Sequence, residues 1–246
     1  MDKIITETAA QFDYEVALQV ARQVLKKPDS VLCLATGNTT ESIFCELVRL
    51  AQGLEIDFSR VRTVNLDEYV GVSPDDPTSC RYRIEQQLFE KLHIPKENVY
   101  VPSSTAENAQ QVCEQFERHL QELGGIDLMV LSTGENGHIA FNEPGTPFGC
   151  RVHIAKITRS TVEAKAALFG GEDKVPQAGV SMGVRSIMMT RHILLVAKGE
   201  HKAPIMKKIL CGPVTEAVPG SVLQLHNNVT LIADRAAMAQ VDCEIG

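Results

Sequence analysis

The chain has 246 residues, of which 44% are hydrophobic and 22% are charged, and its formal net charge is −7. These values are typical of a soluble globular protein that can bury a full core. The negative charge argues against a nucleic-acid-binding surface. No apolar run approaches the roughly 18 residues needed to cross a bilayer, so the sequence predicts no contact with a membrane.

Seven cysteines are scattered along the chain without a CxxC pair. Their odd number and their spacing predict reduced thiols in a cytosolic protein, rather than a disulfide framework or a zinc site. The first residues lack the pattern of a signal peptide, which also favours a cytoplasmic location.

Apolar residues at helical spacing predict helices, and short apolar runs predict strands. The predicted helices cover residues 8–26, 40–52, 78–92, 105–122, 159–169 and 198–210. The predicted strands cover residues 31–35, 61–66, 98–101, 126–131, 178–183, 191–197, 222–226 and 229–233, and a further apolar stretch lies near 152–157. This alternation predicts an α/β fold with a mainly parallel sheet and helices on both faces. Since the chain has no repeat or linker, residues 1–246 are expected to form one domain.

The loop at residues 132–144 carries the densest group of polar side chains. It follows a predicted buried strand, at a place where open α/β sheets bind their ligands. Its glycines allow tight turns and close approach to a ligand, and an imidazole with a carboxylate suits acid/base chemistry. A purely structural turn is the alternative. The glycine and polar residues are Gly134, Asn136, Gly137, His138, Asn142 and Glu143.

Two further loops are expected at the same edge of the sheet. Thr36-Gly37-Asn38-Thr39 lies between a strand and a helix, as in a phosphate-binding loop, although it lacks the lysine and spacing of a Walker A motif. The alternative is that Thr39 or Thr40 only caps the helix. Asp67 and Glu68 follow the next strand, where they suit acid/base chemistry, a metal or a solvated turn.

A lysine near the start of a predicted helix also needs an explanation. The positive charge of Lys202 is unfavourable beside the positive end of the helix dipole. An anion bound at this end of the helix would explain the presence of a lysine there. The alternative is that its side chain extends into water. The glycine-rich turn at residues 170–176 could belong to a lid over the site.

Two motifs together resemble the glucosamine-6-phosphate deaminase (isomerase) family, which also contains galactosamine-6-phosphate isomerases and is related to 6-phosphogluconolactonases. They are Asn65-Leu66-Asp67-Glu68-Tyr69-Val70-Gly71 and Gly137-His138-Ile139-Ala140-Phe141-Asn142-Glu143-Pro144. The Thr36–Thr39 loop and Lys202 also match, so the resemblance extends over nearly the whole chain. It implies a Rossmann-like fold without a dinucleotide, no cofactor or metal, and a small amino-sugar phosphate as the substrate. A homo-oligomer is possible, because the family includes monomers and hexamers.

The resemblance implies conversion of a hexosamine 6-phosphate to the ketose 6-phosphate with release of ammonia. His138, oriented by Glu143, would open the sugar ring, and Asp67 would move the C2 proton to C1. Glu68 would assist or hold its loop. The phosphate and the rest of the substrate would be bound by residues Thr36, Gly37, Asn38, Thr39, Gly137 and Lys202.

Three departures from the family pattern favour a sister branch, such as the galactosamine-6-phosphate enzymes. Asn136 replaces an aspartate that could relay a proton, and Ala167 replaces an arginine that closes on the phosphate. Arg159 and Lys165 are candidate substitutes for that arginine. His153 and Ala155 occupy positions of a basic allosteric pocket, so no activation by an N-acetylated sugar phosphate is expected.

Two other functions also fit the sequence. A 6-phosphogluconolactonase would hydrolyse an ester with the same Gly-His loop. A non-catalytic sugar-phosphate sensor would need a DNA-binding module, and the chain begins directly with the α/β pattern. The presence of Asp67, His138 and Glu143 together favours catalysis over sensing.

Overall fold

The computed structural model describes residues 1–34, 36–37, 39–105 and 107–243. The strands within these ranges are β1 (Asp2–Thr6), β2 (Val31–Leu34), β3 (Arg62–Val64), β4 (Asp67–Tyr69), β5 (Val99–Tyr100), β6 (Leu128–Ser132), β7 (His153–Lys156), β8 (Ala178–Ser181), β9 (Ile193–Ala197) and β10 (Val229–Asp234). The α-helices are α1 (Ala9–Lys26), α2 (Thr40–Gly53), α3 (Cys80–Ile84), α4 (Ala109–Glu122), α5 (Arg159–Phe169), α6 (Val184–Met188) and α7 (Ala203–Cys211).

The main sheet has seven strands in the order β1-β10-β9-β6-β2-β3-β5, and all its neighbouring strands are parallel. Side chains of β6 alternate between two cores. Leu128 and Val130 pack towards α1 and α2, whereas Met129 and Leu131 pack towards α4 and α7. The predicted α/β fold, with helices on both faces of a mainly parallel sheet, is therefore confirmed.

A second, antiparallel sheet of three strands has the order β4-β8-β7. In its register, Asp67 of β4 pairs with Ser181 of β8, and Ser181 pairs with His153 of β7. The sequence predicted β8 as a strand but did not predict this separate sheet. The sheet brings Asp67 next to the segment that follows the loop at 132–144.

Some of the predicted elements differ from the structure. The strand predicted at 222–226 is wrong, because Pro219–Leu225 forms a 3₁₀-helix whose residues Val222 and Leu223 are buried against α7. The helix predicted at 78–92 is shorter, since α3 continues as a π-helical turn at Glu85–Phe89 and then ends. Strands β1 and β4 and helix α6 were not predicted.

The expectation of reduced thiols is wrong for two of the seven cysteines. Cys211 at the end of α7 forms a disulfide with Cys243, 32 residues later in the chain. An ion pair between Lys207 and Asp242, with an N–O distance of 2.7 Å, lies beside it. The C-terminal segment therefore returns to α7, which the spacing of the cysteines did not reveal.

In the part of the chain that the structure describes, none of the helices combines the length and apolar character that spanning a membrane requires.

Candidate active site

The carboxyl ends of the adjacent strands β6, β2 and β3 bring the three predicted loops to one edge of the main sheet. The loop after β6 is held by its own backbone. The amide of Gly134 donates to the carbonyl of His138 at 3.0 Å, and the amide of Gly137 donates to the carbonyl of Gly134 at 3.0 Å. A Cβ on Gly134 would lie 2.1 Å from Cε1 of the His138 ring. Glycine at this position therefore lets the imidazole pack directly on the turn.

Glu143 lies beside the imidazole of His138. The Nδ1 atom of His138 is 3.4 Å from Oε1 of Glu143, but among the described residues no hydrogen bond reaches this nitrogen. Thr158, at the N-cap of α5, donates its hydroxyl to Glu143 Oε1 at 3.0 Å. Burial raises the pKa of Glu143, but His138 and the hydrogen bonds from neighbouring side chains outweigh burial and hold it below its usual range. The carboxylate can therefore stabilise a protonated imidazole.

Asn136 forms hydrogen bonds with both the backbone of His138 and the carboxylate of Glu143. Its Nδ2 donates to Glu143 Oε2 at 2.7 Å, and its Oδ1 accepts the amide proton of His138 at 3.1 Å. An amide can donate and accept at the same time, whereas an ionised carboxylate can only accept. Asn136 therefore orients Glu143 through a hydrogen bond that an aspartate in its ionised form could not make.

Asn142 has a structural role. Its side chain is fully buried, and its Nδ2 donates to the carbonyls of Ile139 at 2.8 Å and Met182 at 2.9 Å. The amide of Phe141 also donates to the hydroxyl of Ser181 at 3.1 Å. These bonds attach the His138 loop to the end of β8, and hence to the sheet that contains Asp67.

Asp67 is the acid whose titration is most suited to proton transfer near neutral pH. Burial, and then the charge of Glu68, raises its pKa to about 7, while Lys165 and His138 oppose the increase. The thiol of Cys80 is 4.0 Å from its Oδ1. A carboxyl with this pKa can accept and return a proton within one catalytic cycle.

Glu68 is buried, with only 3% of its surface exposed. Its carboxylate accepts the backbone amides of Tyr69 at 2.9 Å, Cys80 at 3.0 Å and Arg81 at 2.9 Å. These bonds attach the start of α3 to β4. Of the two roles expected for Glu68, the contacts favour holding the loop over contacting the substrate.

The phosphate-loop residues lie at the start of α2. Thr39 occupies the N-cap position but makes no capping hydrogen bond through its side chain, so its hydroxyl is not used as the cap. Thr40 instead donates its hydroxyl to the carbonyl of Gly37 at 3.0 Å. Thr36 contacts Cys80 through its side chain. Asn38 lies outside the described residues.

Lys202 lies at the N-cap of α7, which begins at Ala203 and not at residue 198 as the sequence predicted. Its Nζ donates to the carbonyl of Thr133 at 2.7 Å, which brings it to the same loop as His138. Burial lowers the pKa of Lys202, and the charge of Glu135 opposes that change. The alternative that this side chain extends freely into water is therefore wrong.

The candidates for the missing arginine differ in their surroundings. Arg159 is exposed and pairs with Glu163 at 2.7 Å and with Glu172 at 3.1 Å, so it is engaged on the outer surface. Lys165 is partly buried and close enough to Asp67 to affect its titration.

Sequence reasoning missed Thr158, although a threonine before a predicted helix is a usual N-cap signal.

The described residues also line an open cavity of about 480 Å³ that shares no residue with these loops. It lies near the amino-terminal ends of the parallel strands, where Glu117, Ile126 and Arg191 contribute to its lining. It contains none of the proposed catalytic residues.

Within the described ranges, no group of three or more His, Cys, Asp or Glu side chains could hold a metal ion.

Comparisons with known proteins agree with this geometry. Residues 5–232 match the family model described as glucosamine-6-phosphate isomerases/6-phosphogluconolactonase. A glucosamine-6-phosphate deaminase from Geobacillus sp. is 45% identical over 225 residues, covering 92% of this chain and 90% of that protein. One from Clostridium perfringens is 39% identical over 237 residues, covering 96% of this chain and 98% of that protein.

Two solved structures extend the comparison. A monomeric glucosamine-6-phosphate deaminase superposes with a TM-score of 0.94 at 36% identity, covering 98% of this chain and all of that one. A 6-phosphogluconolactonase from Trypanosoma brucei has a TM-score of 0.80 at 18% identity and covers 98% of both chains. The second likeness concerns the fold alone.

Proposed function

The chain belongs to the family of glucosamine-6-phosphate isomerases and 6-phosphogluconolactonases, and from this premise we propose that it is a hexosamine-6-phosphate deaminase. The substrate would be glucosamine 6-phosphate or its C4 epimer. The products would be the ketose 6-phosphate and ammonia. The observation that supports this proposal best is the grouping of an Asp67 carboxyl that titrates near pH 7 with the His138–Glu143 pair.

The first step opens the sugar ring. His138 would take the proton from the C1 hydroxyl and deliver one to the ring oxygen, so that the aldehyde forms at C1. Glu143, 3.4 Å from Nδ1, would stabilise the imidazolium that exists between these transfers. Asn136 and Thr158 orient Glu143 by their hydrogen bonds, so the pair is already organised before substrate binds.

The second step moves a proton from C2 to C1. The carboxylate of Asp67 would remove the C2 proton while the oxygen at C1 takes up a proton released by the C2 ammonium group, which leaves a neutral enolamine. Asp67 would then return its proton to C1. This produces an iminium at C2, which water hydrolyses to the ketone and ammonia. Lys202 and the loop containing Thr36 and Gly37 would bind the phosphate, so that its binding energy holds the reacting carbons beside Asp67.

The galacto epimer is a second candidate substrate, which the residues Asn136 and Ala167 favour. From the resemblance, the glucosamine enzymes are expected to have an aspartate at the position of Asn136 and an arginine at the position of Ala167. The relatives named above are called glucosamine-6-phosphate deaminases, which favours the gluco epimer. We therefore expect the gluco epimer to be a substrate and treat acceptance of the galacto epimer as an open alternative.

The test is release of ammonia from purified protein, with glucosamine 6-phosphate and galactosamine 6-phosphate assayed in parallel. The Asp67→Asn variant, which keeps the shape of the side chain but cannot act as the base, is the control for contaminating activity. Release of ammonia from either epimer that is absent in the variant supports the proposal. Hydrolysis of 6-phosphogluconolactone without ammonia release would contradict it and indicate a lactonase.

A further inference from the structure

Helix α5 directs one face towards Asp67. Val162 on this helix is buried in a small apolar cluster with Tyr69 and Cys80. The ring of Phe169 packs edge-on against the ring of Tyr69, with 5.2 Å between centroids. Lys165 is three residues after Val162 and four before Phe169, so helical spacing places it on the same face. Its side chain therefore lies over β4 and the start of α3.

In the described part of the chain, the ammonium of Lys165 has no partner of its own. Among the described residues, neither Lys165 nor Arg83 makes a side-chain hydrogen bond or an ion pair, and the two cations repel each other. By contrast, the partly buried Lys198 pairs with Asp13 at 2.9 Å. Burial, and then Arg83, lowers the pKa of Lys165, whereas Cys80 and Asp67 act in the opposite direction. Two partly buried cations without a partner in contact are costly unless a ligand supplies the missing oxygen atoms.

The position of Lys165 indicates which part of the substrate would supply these oxygen atoms. Lys165 and His138 are the positive groups that act on Asp67, whereas Lys202 is bound to the loop at Thr133. When a base removes the C2 proton, negative charge develops on the oxygen at C1. A cation beside the base is therefore best placed to stabilise that charge.

We propose that Lys165 binds the substrate oxygen at the C1–C2 end beside Asp67 and stabilises the charge that forms as the C2 proton leaves. This inference rests on the proposed function and extends it to a residue outside the two sequence motifs. Arg83 contributes to the same positive field. Lys165 thus does not replace the phosphate-closing arginine, which was its role among the sequence-based alternatives.

The test compares Lys165→Met with Lys165→Arg and with Arg159→Met, a change on the outer surface of the same helix. We expect Lys165→Met to lower kcat roughly 10²-fold, in the range found when one stabilising donor is removed. Lys165→Arg should recover part of the rate, and Arg159→Met should retain it. Inhibition by inorganic phosphate should be unchanged in all three variants. An unchanged kcat, or weaker phosphate inhibition with a normal kcat, would overturn the proposal.

The pH profile provides a readout that a structural role would not change. Loss of the positive charge at Lys165 should move the acid limb of kcat/KM to higher pH, because Asp67 would be harder to ionise. The charged and titratable groups around Asp67 that remain in the variant are Glu68 and Tyr69 of β4, Cys33 of β2, Cys80 and Arg83 of α3, and His138. An acid limb that stays in place would contradict the proposal.

The same assays distinguish a failure of the inference about Lys165 from a failure of the proposed function. If the wild-type protein releases no ammonia from either epimer, the proposed function fails, and the substrate contact fails with it. If the wild type is active and Lys165→Met is equally active, only the inference about Lys165 fails.

Discussion

Replacing the carboxyl of Asp67 by an amide is expected to remove activity and to increase stability at alkaline pH. The pKa of Asp67 rises from 3.8 to about 7 on folding, first because of burial and then because of Glu68. Between these pH values the folded protein holds a proton that the unfolded chain has released. The free energy of unfolding therefore falls as pH rises through this window.

The size of this effect follows from the pKa difference. At about 1.4 kcal/mol per pKa unit, the wild-type protein loses at most roughly 4 kcal/mol above pH 7. Because the Asp67 residue is partly exposed, solvent screening reduces this to about 2 kcal/mol. The Asp67→Asn variant does not lose this stability, so its Tm at pH 8 should exceed the wild-type value by about 4–8 °C.

Thermal unfolding of both proteins at pH 5 and pH 8 measures the effect. The advantage of Asp67→Asn should be large at pH 8 and smaller at pH 5, where wild-type Asp67 stays protonated in the folded state. Asp75→Asn, at an exposed acid, is the matched control and should show no such advantage. Equal Tm values for the wild type and Asp67→Asn at pH 8 would refute the reasoning, as would full turnover by Asp67→Asn.

Three further outcomes follow from the same site. Wild-type kcat/KM should fall below about pH 7, because Asp67 must be ionised to act as the base; a flat profile from pH 5 to 9 would exclude this. Glu68→Gln should cost roughly 1–3 kcal/mol in urea unfolding, because its single amide oxygen cannot accept from all three backbone amides and its NH2 group would face one of these donors. Gly134→Ala should lower kcat about 10²-fold by displacing the His138 ring, whereas Gly149→Ala, with open space around it, should retain activity in the same assay.

The position of the candidate site was largely predictable, because open α/β sheets bind ligands at the carboxyl ends of their strands and the strands can be read from the sequence. Buried apolar runs before Thr36, Asp67 and His138 predict parallel strands, whose carboxyl ends form one edge of the sheet. The structure confirms that edge. The hydrogen bonds of Asn142 and the nearness of Lys165 to Asp67 were not predictable, because both bring together segments that are distant in the chain.

The errors in element prediction also have physical causes. The apolar residues of Pro219–Leu225 fit a buried strand as well as a short helix, and only their packing against α7 selects the helix. Strand β1 is mostly exposed at the edge of the main sheet, so it lacks the apolar run that marks an inner strand. The disulfide between Cys211 and Cys243 joins segments whose proximity depends on the tertiary fold.

The separation of Asp67 and His138 onto different sheets has a consequence for how the protein would lose activity. Asp67 belongs to the antiparallel sheet, whose outer side depends on a small apolar cluster that includes Tyr69, Val162 and Val175. His138 follows the central strand of the seven-stranded sheet. The inner side of this sheet, at Val180, packs into the large core, so heating should open the small outer cluster first and release α5 from β4. Catalysis would then stop while most of the protein's hydrogen-bonded framework persists, and cooling would restore it without refolding of the whole chain.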